Sequence, residues 1–416
     1  MKNYFEFVKE LPKDFKRNGF FIFLTYFFAI FSYPFVRAST GAIFYESYSS
    51  NEYSFATFVS IIALIFIIFF SSKLQAKIGV HKLYFLLGSA TIIALLGFHY
   101  LHASGIKPMA YGLFATKEIY IVLLIHLCLA FSNSYFSMEQ LKRLYGPLGA
   151  AGSIGGVLGG QMTSHMARDY GTNTVFYFSL ILIFAALVSF YQTRHANIEE
   201  KEKEKEKVQE QSPLKSVSGI GKYVVLIASI VALTQVVIYI ADLQFNIVFE
   251  KVVQTKDLRT AYLGEIFSYT NLGTLFFQLI IIPYALVRVP IKYVFYFIPF
   301  LYLVLIVGGL GLGAGSLYVV AGVFILLKAC DYSLFSASKE VMYHPLTKLQ
   351  KYGAKYITDM FVYRLAKAVI SFIMSFFLVQ NATYLNTIQI ACLALWIVCI
   401  YFLFKEQKNK NFHLNN

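Results

Sequence analysis

Along most of the chain the apolar residues run on without the two-residue alternation of a half-buried strand or the single stripe of a water-facing helix. Stretches of this kind recur between short polar turns. Each holds about 20 residues, the number a helix rising ~1.5 Å per residue needs to cross a hydrocarbon layer ~30 Å thick. The pattern predicts twelve spans, near 19–37, 54–72, 82–101, 119–137, 147–166, 173–192, 223–242, 263–285, 293–311, 316–336, 356–378 and 385–404. The fold class this implies is an all-α integral membrane protein with twelve transmembrane helices.

Composition sharpens that reading. Of 416 residues 58% are hydrophobic and 14% charged, and 42 Phe and 31 Tyr stand against a single Trp, Trp396. One water-soluble core cannot bury so much aromatic surface, whereas lipid accepts it. A soluble enzyme, a nucleic-acid reader and a secreted disulfide scaffold are therefore excluded. Cys128, Cys330, Cys392 and Cys399 lie in apolar stretches with no C-x-x-C pair, so neither a disulfide framework nor a zinc site is expected. Among eight histidines only His99 and His102 are near enough in sequence to share a face, and no third ligand stands beside them. His126, mid-span, reads as a hydrogen-bonded packing residue. No nucleophile–base pair or carboxylate pair is apparent, so no enzyme activity, cofactor or metal is expected.

The formal charge of +14 is explained by topology. With the basic start (Lys2, Lys9, Lys13, Lys16, Arg17) placed inside, alternate loops inside carry roughly 26 of the 36 basic residues and the outside loops about six (Lys107, Lys117, Arg168, Lys251, Lys256, Arg259). Both termini are thus expected in the cytoplasm, with no nucleic-acid partner. The start is too long and too charged for a cleaved signal, and no small-residue cleavage site follows it.

Residues 196–218, ANIEEKEKEKEKVQEQSPLKSVS, interrupt the apolar pattern with alternating Glu and Lys and then Ser and Pro, the composition of a solvated tether. The expected organisation is a cytoplasmic segment 1–18, a six-helix bundle 19–195, a charged linker 196–222, a second six-helix bundle 223–404 and a tail 405–416. The halves echo each other. Tyr135-Phe136-Ser137-Met138-Glu139 ends the fourth span and Leu334-Phe335-Ser336-Ala337-Ser338-Lys339-Glu340 the tenth, and each precedes a basic loop and a Tyr-Gly, Tyr145-Gly146 or Tyr352-Gly353. A six-plus-six pseudo-repeat with cytoplasmic termini and a long central loop is similar to the architecture of major facilitator carriers.

Ionisable groups inside lipid cost several kcal/mol unless they are paired or line a wet cavity. Here they are Arg37, Asp242, Lys328, Asp331, Asp359, Arg364 and Lys367. Lys328 and Asp331, three apart, can pair on one helix face. Arg364 and Lys367, also three apart, repel each other unless an anion sits between them. Cations at least match carboxylates, so the spans favour an anionic substrate, bound by Arg37, Asp242, Lys328, Asp359, Arg364 and Lys367. Mutual neutralisation, Arg37 with Asp242 and Asp359 with Arg364, is the alternative use of the same groups. At the cytoplasmic ends, Glu139 with Lys142 and Arg143, and Lys339 and Glu340 with Lys351 and Lys355, suit breakable gate pairs. The run 146–160 is no phosphate loop, because no Gly-Lys-Ser/Thr follows. Its Gly152, Gly156 and Gly160 share one face, which suits close helix packing.

Two blocks carry a family resemblance. Tyr332-Ser333-Leu334-Phe335 with Lys339-Glu340, Tyr343 and Pro345-Leu346, followed by Lys355, Asp359, Arg364-Leu365 and Lys367, resembles Y-S-L-F-x-x-x-K-E-x-x-Y-x-P-L and K-x-x-x-D-x-x-x-x-R-L-G-K of the ATP/ADP translocases of plastids and intracellular bacteria. Lys142-Arg143-Leu144-Tyr145-Gly146-Pro147-Leu148-Gly149, with Glu139, is similar to the family's K-R-F-Y-P-L-F-G. Ser32-Tyr33 to Arg37 resembles the end of its first helix, and Tyr262-Leu263-Gly264, Phe267-Ser268 and Gly273 give a weaker match. The chain departs after Arg37, where Ala38-Ser39-Thr40-Gly41 replaces an Asp-Thr-Lys-Asp-like run. It departs again where Ala366-Lys367-Ala368-Val369-Ile370 replaces Gly-Lys-Ser-Gly-Gly. One lysine expected to hold phosphate is therefore absent.

The resemblance implies a nucleotide-transporter fold and alternating access in the inner or plasma membrane. The expected partners are a small anionic substrate, a nucleotide foremost, and the lipid bilayer, with the protein acting as a monomer. Anion exchange of the ATP/ADP type avoids net charge movement, which costs about 2.3 kcal/mol per charge at 100 mV. Proton symport through Asp242 or Asp359 stays open. So do a major facilitator carrier for another organic anion or amphiphile, and a non-transporting scaffold that docks a partner through 196–218.

Overall fold

The computed structural model describes residues 13–136, 138–193, 216–313, 315–377 and 381–410, so the linker and both chain ends lie outside the described residues. The described chain is helical throughout. Nine helices among the described residues are long and apolar enough to cross a membrane. Two of them are double.

The first helix, α1 (Lys13–Ser47), is followed after a two-residue turn by α2 (Ser50–Ala103), whose entry is fixed by the Ser49 N–H donating to Glu52 Oε2 at 3.0 Å. At 54 residues α2 would run ~80 Å if straight. Gly79 breaks it into two spans with φ 79° and ψ 161°, a conformation that a side chain would strain. After α3 (Met109–Tyr135), α4 (Met138–Tyr191) repeats the device, also over 54 residues, at Gly171 (φ 79°, ψ 165°). Each group of three spans in this half therefore turns from its second to its third at a glycine with nearly the same backbone angles.

The second half opens with α5 (Gly221–Val252). Next, α6 (Lys256–Phe276) runs through a π segment, Phe277–Ile281, into α7 (Ile282–Arg288), and Val289-Pro290 separates that span from α8 (Ile291–Gly313). The tenth span is α9 (Leu317–Cys330), a π segment Asp331–Phe335, and α10 (Ser336–Met342). The eleventh is α11 (Lys348–Lys355), a π segment Tyr356–Val362, and α12 (Tyr363–Phe377); α13 (Ala382–Asn409) is the twelfth. Thr347 and Gln350 start α11 with a reciprocal capping box. Counting the two broken helices as pairs and adding the charge-bearing eleventh span gives the twelve that the sequence predicts.

The chain forms two compact units whose limits do not follow chain order. Unit 1 holds 1–47, 63–205 and 255–268; unit 2 holds 48–62, 206–254 and 269–416. The first turns of α2 thus belong with the later helices, and the first half of α6 with the earlier ones. In unit 1, Tyr84 stacks on Phe190 at 4.0 Å within a core of Leu83, Leu124, Phe131, Phe176 and Ile183. In unit 2, Trp396 packs edge-on against Tyr302 and Phe335, amid Ile238, Leu327 and Ile400. Phe66, Phe69, Phe70 and Ile93 are more than half exposed. Apolar surface of that extent belongs against lipid.

Candidate functional site

In unit 2 the charges lie in three tiers. Asp242, on α5 and 5% exposed, has both carboxylate oxygens occupied: Tyr53 Oη donates to Oδ2 at 2.8 Å and Asn246 Nδ2, one turn along the same helix, to Oδ1 at 3.2 Å. The next residue of α2, Ser54, accepts from Tyr239 Oη at 2.8 Å, and the Ser50 N–H donates to Glu250 at 2.7 Å. Three polar residues near the start of α2 therefore fix it along α5. A buried carboxylate without such donors would be costly.

The second tier is on α9. Lys328 and Asp331 are both buried, and the Lys328 ammonium lies 5.2 Å from the Tyr332 ring centroid. Asp331 opens a π segment, a wider turn that in helices often marks a functional position.

The third tier joins α10 to the π segment 356–362. Lys339 Nζ reaches Asp359 Oδ1 at 2.7 Å, Tyr343 Oη reaches the same oxygen at 3.3 Å and also touches Thr358 Oγ1, and Lys355 pairs with Glu340 at 2.6 Å. The Lys339 and Asp359 side chains are 13% and 28% exposed, so this pair is partly desolvated. Lys351 stands on α11 with no ion pair among the described residues. The side chains of Glu139, Lys142 and Arg143 lie outside the described residues.

Just beyond, Arg364 and Lys367 on α12 are half-buried, and neither forms an ion pair among the described residues. Arg364 Nη1 donates only to its own helix, at Met360 O, 2.9 Å. Asp359, the carboxylate closest in sequence, is engaged by Lys339 instead. Two guanidinium or ammonium groups on one face, with the local carboxylate already used, form a positive site that can accept an anion.

In unit 1, Arg37 is held by aromatic faces: its guanidinium lies 4.4 Å from the Phe267 centroid and 5.6 Å from Tyr33. The glycine run of α4 packs tightly. An added Cβ at Gly152 would meet Ile30 at 2.8 Å, and one at Gly159 would meet Phe31 O on α1 at 2.6 Å. Gly156 is buried in the same run. Gly160 faces α6, where a Cβ would stand 2.6 Å from Gly264 O and from Ser268 N. One at Gly264 would stand 2.8 Å from Gly160 O and 2.9 Å from Ser164 N. The two Gly-x-x-x-Ser segments cross with matching contacts from each side.

Several polar residues at this crossing escape a reading of the sequence. Glu265 accepts from Ser164 at 3.0 Å and from Arg168 at 2.5 Å, Asp257 accepts from the Thr172 N–H at 2.7 Å, and Arg259 donates to Tyr45 O at 2.8 Å. Glu265 falls two residues inside the predicted span 263–285, and that position alone could have flagged it. Tyr53 and Asn246 carry no charge and give no such signal.

The sequence pattern of the Major Facilitator Superfamily matches residues 18–338. No curated protein matches the chain. Among solved structures, the nucleoside transporter NupG is similar with a TM-score of 0.63 at 14% identity, over 95% of this chain and 99% of that one. A D-xylose–proton symporter gives a TM-score of 0.68 at 12% identity, over 94% and 98%. A bacterial homologue of the iron transporter ferroportin, in an inward-facing state, gives 0.66 at 14%, over 93% and 98%. At these identities the likeness is one of fold.

Proposed function

The chain belongs to the Major Facilitator Superfamily, and from that premise we propose that this multi-pass membrane transporter moves a nucleotide or a related phosphorylated anion by alternating access. The observation that carries the reading is the α12 pair, Arg364 and Lys367, half-buried in the spanning region with no carboxylate partner among the described residues. Cations left uncompensated in lipid are costly unless a ligand or a wet cavity compensates them. A phosphate group fits such a pair, since guanidinium and ammonium bind its oxygens by charge-assisted hydrogen bonds. The resemblance of 332–367 to ATP/ADP translocases supports the same substrate class. A nucleoside transporter shares this fold, which supports a base and sugar as cargo.

In this reading Arg364 and Lys367, both in unit 2, bind phosphate oxygens. Asp242, Lys328 and Asp359 set the field of the substrate pathway, while Lys339–Asp359 and Glu340–Lys355 brace α10 against the eleventh span. Exchange of one anion for another is the transport mode, because it avoids moving net charge against the membrane potential. The protein sits in the cell membrane with both termini inside, as its loop charges favour, and its bundles 19–195 and 223–404 are joined by the tether 196–222.

The test is uptake of radiolabelled ATP and ADP into liposomes loaded with unlabelled nucleotide. Wild-type protein takes up label only when counter-substrate is inside, and R364A/K367A, inserted equally well, does not. Undiminished uptake by the double variant would overturn the site, and no nucleotide uptake by the wild type would overturn the substrate class.

A further inference from the structure

A cavity of about 220 Å³ lies inside unit 2, at the end where α5 stops and α13 starts, and it contains none of the residues assigned above to the anion. Most of its lining is apolar, with Ile306, Leu310 and Val323 from α8 and α9. Three polar side chains interrupt it: Lys251 in the last turn of α5, Gln244 two turns before it, and Asn386 in the first turns of α13. Asn386 Nδ2 donates to Ala382 O at 2.8 Å. Lys251 is exposed and forms no ion pair among the described residues, and the Gln244 side chain makes no hydrogen bond among them.

The geometry is that of an amphiphile site. A cation stands at the level where α5 terminates, which is the level of the lipid headgroups, one amide lies in the first turns of α13 and the other two turns further in, and an apolar slot lies beside them. We propose that this cavity takes one acyl chain of an anionic phospholipid of the surrounding bilayer, with its phosphate on Lys251 and its ester oxygens within reach of Gln244 and Asn386. Charge complementarity selects the lipid. A zwitterionic headgroup brings its own ammonium beside Lys251 and gains less from it. The cavity is small for a drug-sized solute, which needs ~300 Å³ or more, and admits part of a single flexible chain. The site is independent of the transported anion.

Thermal unfolding of the full-length, detergent-purified protein tests this with phosphatidylglycerol, phosphatidylcholine of the same acyl chains, and inorganic phosphate. Phosphatidylglycerol is expected to raise Tm more than phosphatidylcholine, and inorganic phosphate not to raise it. Lys251→Gln, on the helix end and exposed, abolishes the difference between the lipids. Val323→Phe, which fills the slot, abolishes the gain from both. Native mass spectrometry of the wild type retains one phosphatidylglycerol, and K251Q retains none. Equal shifts by the two lipids, a difference that persists in K251Q, or a shift reproduced by inorganic phosphate alone would each overturn the proposal. Unaltered Tm of each variant in lipid-free detergent separates loss of the site from loss of the fold.

Discussion

The two units use their charges differently. In unit 1 several charges are engaged in structure: Arg168 with Glu265, Lys256 with Glu46 at 3.2 Å, Asp257 on Thr172, and Arg259 on a backbone carbonyl. Its described helices are regular and turn at two glycines. Unit 2 holds all three described π segments, two of them starting at or containing an aspartate, and beside one of them the α12 cations have no carboxylate partner among the described residues. Unit 2 also closes charges, at Asp242, Lys339–Asp359 and Glu340–Lys355, but it sets the α12 cations beside them. Irregular backbone within a membrane is tolerated where it is buried in protein or lines a cavity, which is where Asp331 and Asp359 sit.

The largest expected effect breaks the binding region. Removing Arg364 and Lys367 together should cost on the order of 2–5 kcal/mol of nucleotide affinity, because truncating a desolvated charge leaves the ligand's charge unpaired. Isothermal titration against the wild type measures it, and a loss below tenfold would refute the assignment. Next comes the crossing of unit 1. Gly160→Leu puts a side chain where backbone atoms of α6 stand 2.6 Å away. Backbone cannot rotate aside, so a destabilisation of about 3 kcal/mol or more is expected in Tm and denaturation midpoints. Leu at Gly149, where a Cβ meets nothing within 4 Å, should be tolerated.

Asp359→Asn sharpens the comparison at the boundary between bracing and binding. It replaces the charged acceptor of Lys339 by a neutral amide and weakens the Tyr343 contact, for about 1.5–3 kcal/mol of stability. A double-mutant cycle with Lys339→Met should recover a positive coupling energy, and additivity would show that the pair is idle. The smallest effect is Arg168→Ala. That side chain is 52% exposed, and the expected change is within 1 kcal/mol.

Much of the fold was legible in the sequence, since lipid demands long apolar helices whose lengths are set by bilayer thickness. The joins were less so: Gly79 and Gly171 carry helices straight through what reads as a loop, because a single left-handed residue suffices to redirect the chain. The site was legible only where it is charged. Arg364, Lys367 and Asp359 stand out in an apolar run, but the pairing of Asp359 with Lys339, 20 residues away on another element, is not set by spacing along one helix. Tyr53 on Asp242 depends on a contact 189 residues apart in the chain. Short-range spacing carries no trace of it.

The central claim is that unit 2 presents uncompensated cations to a phosphorylated ligand. Thermal unfolding of the purified protein with ATP, ADP and the matching unphosphorylated nucleoside tests it most directly. A ligand at 100 times its Kd stabilises by about 2.7 kcal/mol. A rise in Tm with nucleotide, smaller with nucleoside and absent in R364A/K367A, is the predicted result; equal responses to nucleotide and nucleoside, or a flat response to both, would contradict it.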